Sequence, residues 1–465
     1  MKLSFWGAAR QVSGSMYMLE SEKGYKILID CGSDMARGAD SQSEFPFDVT
    51  DIDVVLLTHA HVDHTGRLPH LLKSGYNGQV LCTPPTFGLA QLLLNDNASL
   101  SSKRLKRLVN RAYRYAHREE EIEVLSFKEV EETMERFVTI NFNQRFQIQD
   151  KIWITFIPAG HLLGAGNILI ELEDKGEFKK VLFSGDLGRK NYPLLPNPSP
   201  APQADYLICE TTYGNRSHQE KGNPEDVIER IIRESCVERA GRLIIPAFSV
   251  GRTQSIIYTL HKLYLLGRLP KIKIFTDSPM AEVSSRIYEE FHSLLNEEAK
   301  AIYAEHKTLF DFDNLVYVAN FKESKAITNY YEPCIIISAS GMLTGGRMEM
   351  HVKKNLNNPY CTFLMIGYSA EGTPGHKLMN GGKYLRIGGK DIPVSAHIER
   401  TDIYSGHAGQ EDLLDFVRQQ DKDSLKNIFL VHGEHQSMID FKEKLNENGY
   451  PNCEVPAKGE SFILG

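Results

Sequence analysis

Short apolar runs recur along the chain, and each stops at small residues followed by one side chain able to bind a metal or carry a proton. Lys26-Ile27-Leu28-Ile29 leads into Asp30-Cys31-Gly32, and Val54-Val55-Leu56-Leu57 into Thr58-His59-Ala60-His61-Val62-Asp63-His64. Ile152 to Ile157 leads into Pro158-Ala159-Gly160-His161, and Val181-Leu182-Phe183 into Ser184-Gly185-Asp186. Tyr206 to Cys209 ends in Glu210-Thr211-Thr212-Tyr213-Gly214, and Asn427 to Val431 ends in His432-Gly433-Glu434-His435. Bounded runs of this kind predict buried strands. An open sheet with function at its strand ends produces the repeated grammar. Residues 86 to 137 read as mostly helical. From about residue 220 a helix around 224–239 alternates with strands at 242–245, 271–275, 334–337 and 361–366, which predicts a second, parallel α/β domain. The proline-rich stretch between Arg189 and Ala204 reads as a stiff loop beside the site rather than a linker.

Composition narrows the class. The 465 residues suffice for about two or three domains. Hydrophobic residues at 42% and charged residues at 24% are ordinary for a soluble globular protein. No run approaches the roughly 18 apolar residues of a membrane span. The N-terminus enters strand-like sequence at once, so no signal peptide is expected. Seven scattered cysteines without a CxxC pair argue for a reducing, cytoplasmic setting and against a cysteine-based zinc site. A net charge of −7 argues against nonspecific coating of nucleic acid, though a local cleft with divalent cations can hold phosphates on an acidic body. The basic stretch Lys103-Arg104-Leu105-Lys106-Arg107, continuing through Arg111, Arg114 and Arg118, reads first as a solvated amphipathic helix and second as an RNA contact.

The chemistry concentrates at His59, His61, Asp63 and His64, four strong metal ligands on what must be a loop folded back on itself. Imidazoles and carboxylates at this density suit Zn²⁺, and two ions better than one. A pair of ions about 3.5–4 Å apart needs roughly seven protein ligands. His161, Asp186, His432 and His407 follow strand signals beside small residues and are the further candidates. A lone histidine is more often structural, and only this shared context raises them. Asp30 either caps a turn or holds a ligand histidine from behind, fixing its tautomer.

Thr58 to His64 resembles the HxHxDH signature of the metallo-β-lactamase fold, a four-layer αββα sandwich. Ala159-Gly160-His161 and Gly185-Asp186-Leu187-Gly188 are similar to that superfamily's later ligand motifs. Glu210 to Gly214, Pro246-Ala247-Phe248 with Gly251-Arg252, Ser338 to Gly346, Ser405-Gly406-His407 and Val431 to Glu434 resemble the β-CASP nucleases, in particular their RNA-cleaving branch. The resemblance implies an α/β protein in which residues 1–208 and 391–465 form the metallo-β-lactamase domain. Residues 209–390 would be an inserted parallel β-CASP domain, with a cleft between the two. It implies two zinc ions per chain. His59, His61 and His161 would hold one, Asp63, His64 and His432 the other, and Asp186 would bridge them. Glu210 and His407 would form a carboxylate–imidazole pair serving as general acid against a bridging hydroxide. A histidine at the position of His432 is typical of the RNA branch.

The expected activity is zinc-dependent hydrolysis of RNA, endonucleolytic with 5′-exonuclease capacity, leaving a 5′-phosphate and a 3′-hydroxyl. Ser338, Ser340, Gly341, Gly345, Gly346, Arg347, Gly251 and Arg252 are the expected phosphate contacts, although tight strand–helix turns explain any one of them equally well. His376 stands where the family often has Arg, and Gly409 where it often has Asp. His397 and His435 resemble motif histidines and are read as structural or as supporting a ligand from behind. Partners reduce to an RNA substrate and no membrane, with a homodimer left open. The rival functions are a DNA nuclease of the same fold, a non-catalytic RNA-binding subunit, and a small-molecule hydrolase such as a thioesterase.

Overall fold

A computed structural model describes residues 1–34, 44–112, 125–218, 222–343, 345–367, 369 and 372–465, with side chains described for all of these except 104–112. The chain divides into two compact units. The first comprises Met1–Lys190, Asn197–Ser217 and His407–Gly465, and the second Asn191–Pro196 and His218–Gly406.

The first unit is built on two seven-stranded sheets. One runs Ser461–Ile463, Lys2–Gly7, Met16–Glu20, Lys26–Ile29, Val54–Leu56, Gln79–Cys82 and Phe137–Thr139 in spatial order. The other runs Cys453–Glu454, Asn427–Val431, Tyr206–Glu210, Glu177–Phe183, Gly166–Asp174, Ile152–Pro158 and Phe146–Gln149. Successive side chains on a strand point to opposite faces, and the second sheet divides its apolar residues accordingly. Ile154, Phe156, Ile168, Ile170, Val181, Phe183, Ile208 and Phe429 face Leu3, Phe5, Leu19, Ile27 and Leu56 of the first sheet in one shared core. The intervening Leu169, Leu182, Leu207, Ile428 and Leu430 pack outward against Leu413, Leu414, Met438 and Phe441 of helices Gln410–Val417 and His435–Glu447. On the far face of the first sheet, Leu28, Val55 and Val80 pack against Leu68 and Leu71 of helix Leu68–Lys73. The layers are therefore helix, sheet, sheet, helix.

The second unit carries a six-stranded parallel sheet in the order Leu315–Tyr317, Lys273–Asp277, Cys334–Ser338, Arg242–Pro246, Thr362–Ile366 and His397–Thr401. Cys334–Ser338 and Thr362–Ile366 are buried at every position, as expected of parallel strands covered on both faces. The chain starts at Arg242–Pro246, builds one side through Cys334–Ser338, then crosses to begin the other with Thr362–Ile366. Carboxyl ends at such a reversal are where open α/β sheets bind ligands.

All seven cysteines are buried and free. Among the described residues no helix is long and apolar enough to cross a membrane. The basic stretch belongs to helix Pro84–Ala112 as far as residue 112. From Arg104 its side chains lie outside the described residues, as do 113–124 entirely.

Candidate metal centre

Sheet pairing lays the carboxyl ends of the first unit's strands side by side, and the ligand-type residues of the sequence grammar meet there. Asp30 follows Lys26–Ile29, His59 follows Val54–Leu56, His161 follows Ile152–Pro158, Asp186 follows Glu177–Phe183, and His432 follows Asn427–Val431. Glu210 is the last residue of Tyr206–Glu210. Where the sequence predicts a loop for all four clustered ligands, Asp63 and His64 instead sit on a single helical turn, Val62–Thr65. Cys31 N donates to His64 O at 2.7 Å and Ser15 N to Asp63 O at 2.8 Å, pulling that turn onto the preceding loop. Gly32 makes this possible, because a Cβ there would lie 1.6 Å from Asp63 O. His407 is brought in from the start of helix Gln410–Val417 by the bond from Ala408 N to Leu187 O, 2.8 Å long.

The donor atoms fall into two sets that share Asp186. In the first, His59 Nε2 and His161 Nε2 lie 3.0 and 3.3 Å from His61 Nδ1, and 3.5 and 3.6 Å from Asp186 Oδ2. In the second, His64 Nε2 is 3.3 Å from His432 Nε2, which is 3.5 Å from Asp63 Oδ2. Asp186 Oδ1 faces this second set, 3.4 Å from His64 Nε2 and 3.6 Å from His432 Nδ1. That oxygen is buried without a hydrogen-bond partner. A buried carboxylate oxygen without a hydrogen-bond partner beside imidazole nitrogens is what a cation would satisfy, so the residues present fit a metal cofactor.

Groups behind the donors fix their orientation. Asp30 accepts from His64 Nδ1 at 2.7 Å, and from Thr58 N and Thr58 Oγ1, both at 2.8 Å. Its role is therefore to hold a histidine rather than merely to cap a turn. Thr58 Oγ1 in turn accepts from His59 Nδ1 at 3.1 Å, leaving Nε2 of both histidines for a metal. A third cluster joins Asp186, Glu210 and His407. Glu210 there already accepts from Leu187 N at 2.7 Å and Thr212 N at 3.1 Å. It also accepts from His407 Nδ1 at 3.2 Å, so it orients His407 and has no bare oxygen for a further cation.

Electrostatics separates the donors. Burial, reinforced by neighbouring imidazoles, holds His59 well below the usual histidine range and His61 at about 4, so both are neutral and ready to donate lone pairs. For His64, burial is outweighed by Asp186 and Asp30, and its pKa is raised well above the ordinary value. His432 is likewise raised, because Asp186 and Asp63 outweigh its burial. Burial pushes Asp63 and Asp186 upward, but the surrounding histidines win and hold both below the carboxylate range.

Residues 9–207 match the family model of the metallo-beta-lactamase superfamily, 253–378 that of the Beta-Casp domain, and 391–456 that of the Zn-dependent metallo-hydrolase RNA specificity domain. Ribonuclease TTHA0252 of Thermus thermophilus is 32% identical over 94% of each chain. The chain belongs to the Beta-Casp family of the metallo-beta-lactamase superfamily. An RNase J-like protein of Methanocaldococcus jannaschii is 28% identical over 94% of each chain. Transcription termination factor FttA of the same organism is 29% identical over 95% of this chain and 68% of its own. This Beta-Casp protein is a metal-dependent hydrolytic nuclease with the αββα sandwich and parallel insert that its sequence predicts.

The expected phosphate contacts lie in the second unit, at or beyond the carboxyl ends of Arg242–Pro246 and Cys334–Ser338, and the first of these strands borders the point of reversal. Gly345 and Gly346 both have φ of +66°, and space beside Gly345 is open. Several of these groups are already engaged. Ser338 Oγ donates to Asp277 O at 3.0 Å, and Gly251 N donates to Gln254 Oε1 at 2.8 Å. Arg347 donates to Asp277 Oδ1, Val318 O and Ala319 O at 2.7, 2.8 and 3.0 Å. Arg252 donates to Ile366 O at 3.1 Å and lies over the Phe248 ring. Two groups to which the sequence assigned no task, Thr58 and Thr212, touch the imidazoles directly. A hydroxyl beside a candidate ligand was their only signal.

Proposed function

We propose that the chain is a zinc-dependent ribonuclease that cleaves RNA phosphodiesters internally, with 5′-exonuclease capacity, using two zinc ions. His59, His61 and His161 would hold one ion, and Asp63, His64 and His432 the other, with Asp186 shared between them. The observation carrying this reading is that the two oxygens of Asp186 face different donor sets, one of them with no hydrogen-bond partner. RNA is favoured because the matched C-terminal model is an RNA specificity domain and a relative at 32% identity is a ribonuclease.

Bound zinc would activate water at neutral pH and offset the charge that builds on the phosphate oxygens. The chain's own residues supply the rest. Asp30 and Thr58 hold His64 and His59 with Nε2 inward. Glu210 keeps the proton of His407 on Nδ1, so Nε2 is the atom that delivers a proton to the departing ribose oxygen. In-line attack then leaves a 5′-phosphate and a 3′-hydroxyl. Ser340, Gly341, Gly345, Arg252 and the unspent donors of Arg347 are the groups proposed to meet phosphates, with Ser338 and Gly251 shaping their loops.

The decisive experiment couples elemental analysis to cleavage of matched RNA and DNA oligonucleotides labelled at either end. Two zinc ions per chain, zinc depletion in Asp63→Ala and preferential RNA cleavage are expected. Equal turnover of DNA, or a single ion per chain, would refute the reading.

A further inference from the structure

His432 is held in an unusual backbone state. Its φ is +49°, a left-handed value that a residue other than glycine keeps only where the surrounding structure imposes it. The surroundings come from the pair Thr211-Thr212. Thr211 Oγ1 donates to Val431 O at 2.8 Å, and Thr211 N to His432 O at 3.3 Å. Gly433 abuts the same pair, since a Cβ there would lie 2.4 Å from Thr211 Oγ1.

Thr212 Oγ1 lies 3.1 Å from His432 O and 3.1 Å from His432 Nδ1. A hydroxyl has one proton, and a carbonyl can only accept. The Thr212 proton therefore goes to His432 O, and its oxygen accepts from Nδ1–H. That leaves Nε2, the atom 3.3 Å from His64 Nε2 and 3.5 Å from Asp63 Oδ2, as the lone-pair nitrogen. Asp186 Oδ1, 3.6 Å from Nδ1, is too distant to do this alone. Thr212 N meanwhile donates to Glu210 Oε2 at 3.1 Å, so one residue contacts both His432 and the carboxylate behind His407.

We propose that Thr212 is a positioning residue for the second metal ion: its hydroxyl selects the tautomer and ring orientation of His432 as Asp30 does for His64. This rests on the reading of His432 as a ligand. It is tested by zinc competition with a chromophoric chelator on wild type, Thr212→Val, Thr212→Ser and His432→Ala, with thermal unfolding of each metal-free protein. Thr212→Val should weaken the second zinc by about 10–100-fold and leave the first unchanged, and Thr212→Ser should restore most of the affinity. If Thr212→Val does not fold, Thr212→Ala removes the same hydroxyl without the added methyl, and the same comparison applies. Wild-type affinity in the hydroxyl-free variants, equal weakening at both sites, or no rescue by serine would overturn the proposal. A His432→Ala protein that still binds two zinc ions would instead overturn the ligand reading, whatever Thr212 does.

Discussion

Asp30 Oδ2 lies 2.7 Å from His64 Nδ1, and both side chains are buried. The Asp30 backbone sits in the left-handed region at φ +59°, a conformation that the bonds its carboxylate accepts from Thr58 N and Thr58 Oγ1 help to impose. The geometry turns a residue with no direct access to a metal into a determinant of its binding.

Replacing Asp30 by Ala should lower affinity for the second ion, with a loss of about 10–100-fold in metal affinity or turnover. Asp30→Asn keeps an acceptor and should fall between. Metal content by elemental analysis decides it, and a full complement in Asp30→Ala would remove Asp30 from the site.

His407→Ala should retain its metal but lose about 10²–10⁴-fold in turnover, the usual worth of a positioned proton donor. Glu210→Gln should cost less, because its one oxygen can still accept from Leu187 N and His407 Nδ1, although the bond from Thr212 N is lost. Single-turnover cleavage of labelled RNA, with metal content checked in parallel, separates these outcomes. Undiminished cleavage by His407→Ala would show that the leaving oxygen takes its proton elsewhere.

Metal binding should release protons. The pKa values of His64 and His432 are raised by Asp186, with Asp30 and Asp63 adding to it, so each imidazole holds a proton more tightly than usual and must give up any it carries on the ligand nitrogen. Affinity should therefore weaken as pH falls. Calorimetric titration with zinc in buffers of different ionisation enthalpy should show an observed enthalpy that changes with the buffer. A buffer-independent enthalpy at pH 7 would contradict the assignment.

In the second unit, Asp277 is fully buried and accepts from Arg347, His351 and Ser324 at 2.7, 2.7 and 2.6 Å. Burial alone would raise its pKa, but these partners hold it below the ordinary value. Its contribution to stability is present above the unfolded-state pKa, near 4, and is lost as pH falls through the lower folded value. Asp277→Ala strands Arg347 and His351, and should cost about 3–5 kcal/mol in chemical denaturation at pH 7. The deficit should shrink in acid. A neutral substitution would mean that Arg347 finds its partners elsewhere.

What the sequence determined by itself was local. Apolar runs ending in small residues marked strands and placed each ligand-type side chain at a strand's carboxyl end. The packing of His59, His61, Asp63 and His64 within one turn marked metal chemistry, and order of motifs marked the family. Tertiary structure decided what needs distance information. His161 Nε2 comes within 3.3 Å of His61 Nδ1 across 100 residues because the two sheets pack face to face, which sets the end of Val54–Leu56 against the end of Ile152–Pro158. Thr212 gained a task only when the strand ending at Glu210 paired with the one ending at Val431. Arg347 reads from the sequence as a free loop cation, and only the packed chain shows that Asp277, 70 positions away, engages part of its guanidinium to neutralise a buried charge. A residue's type limits which bonds it can make, but only the packed chain settles which of them it has already made.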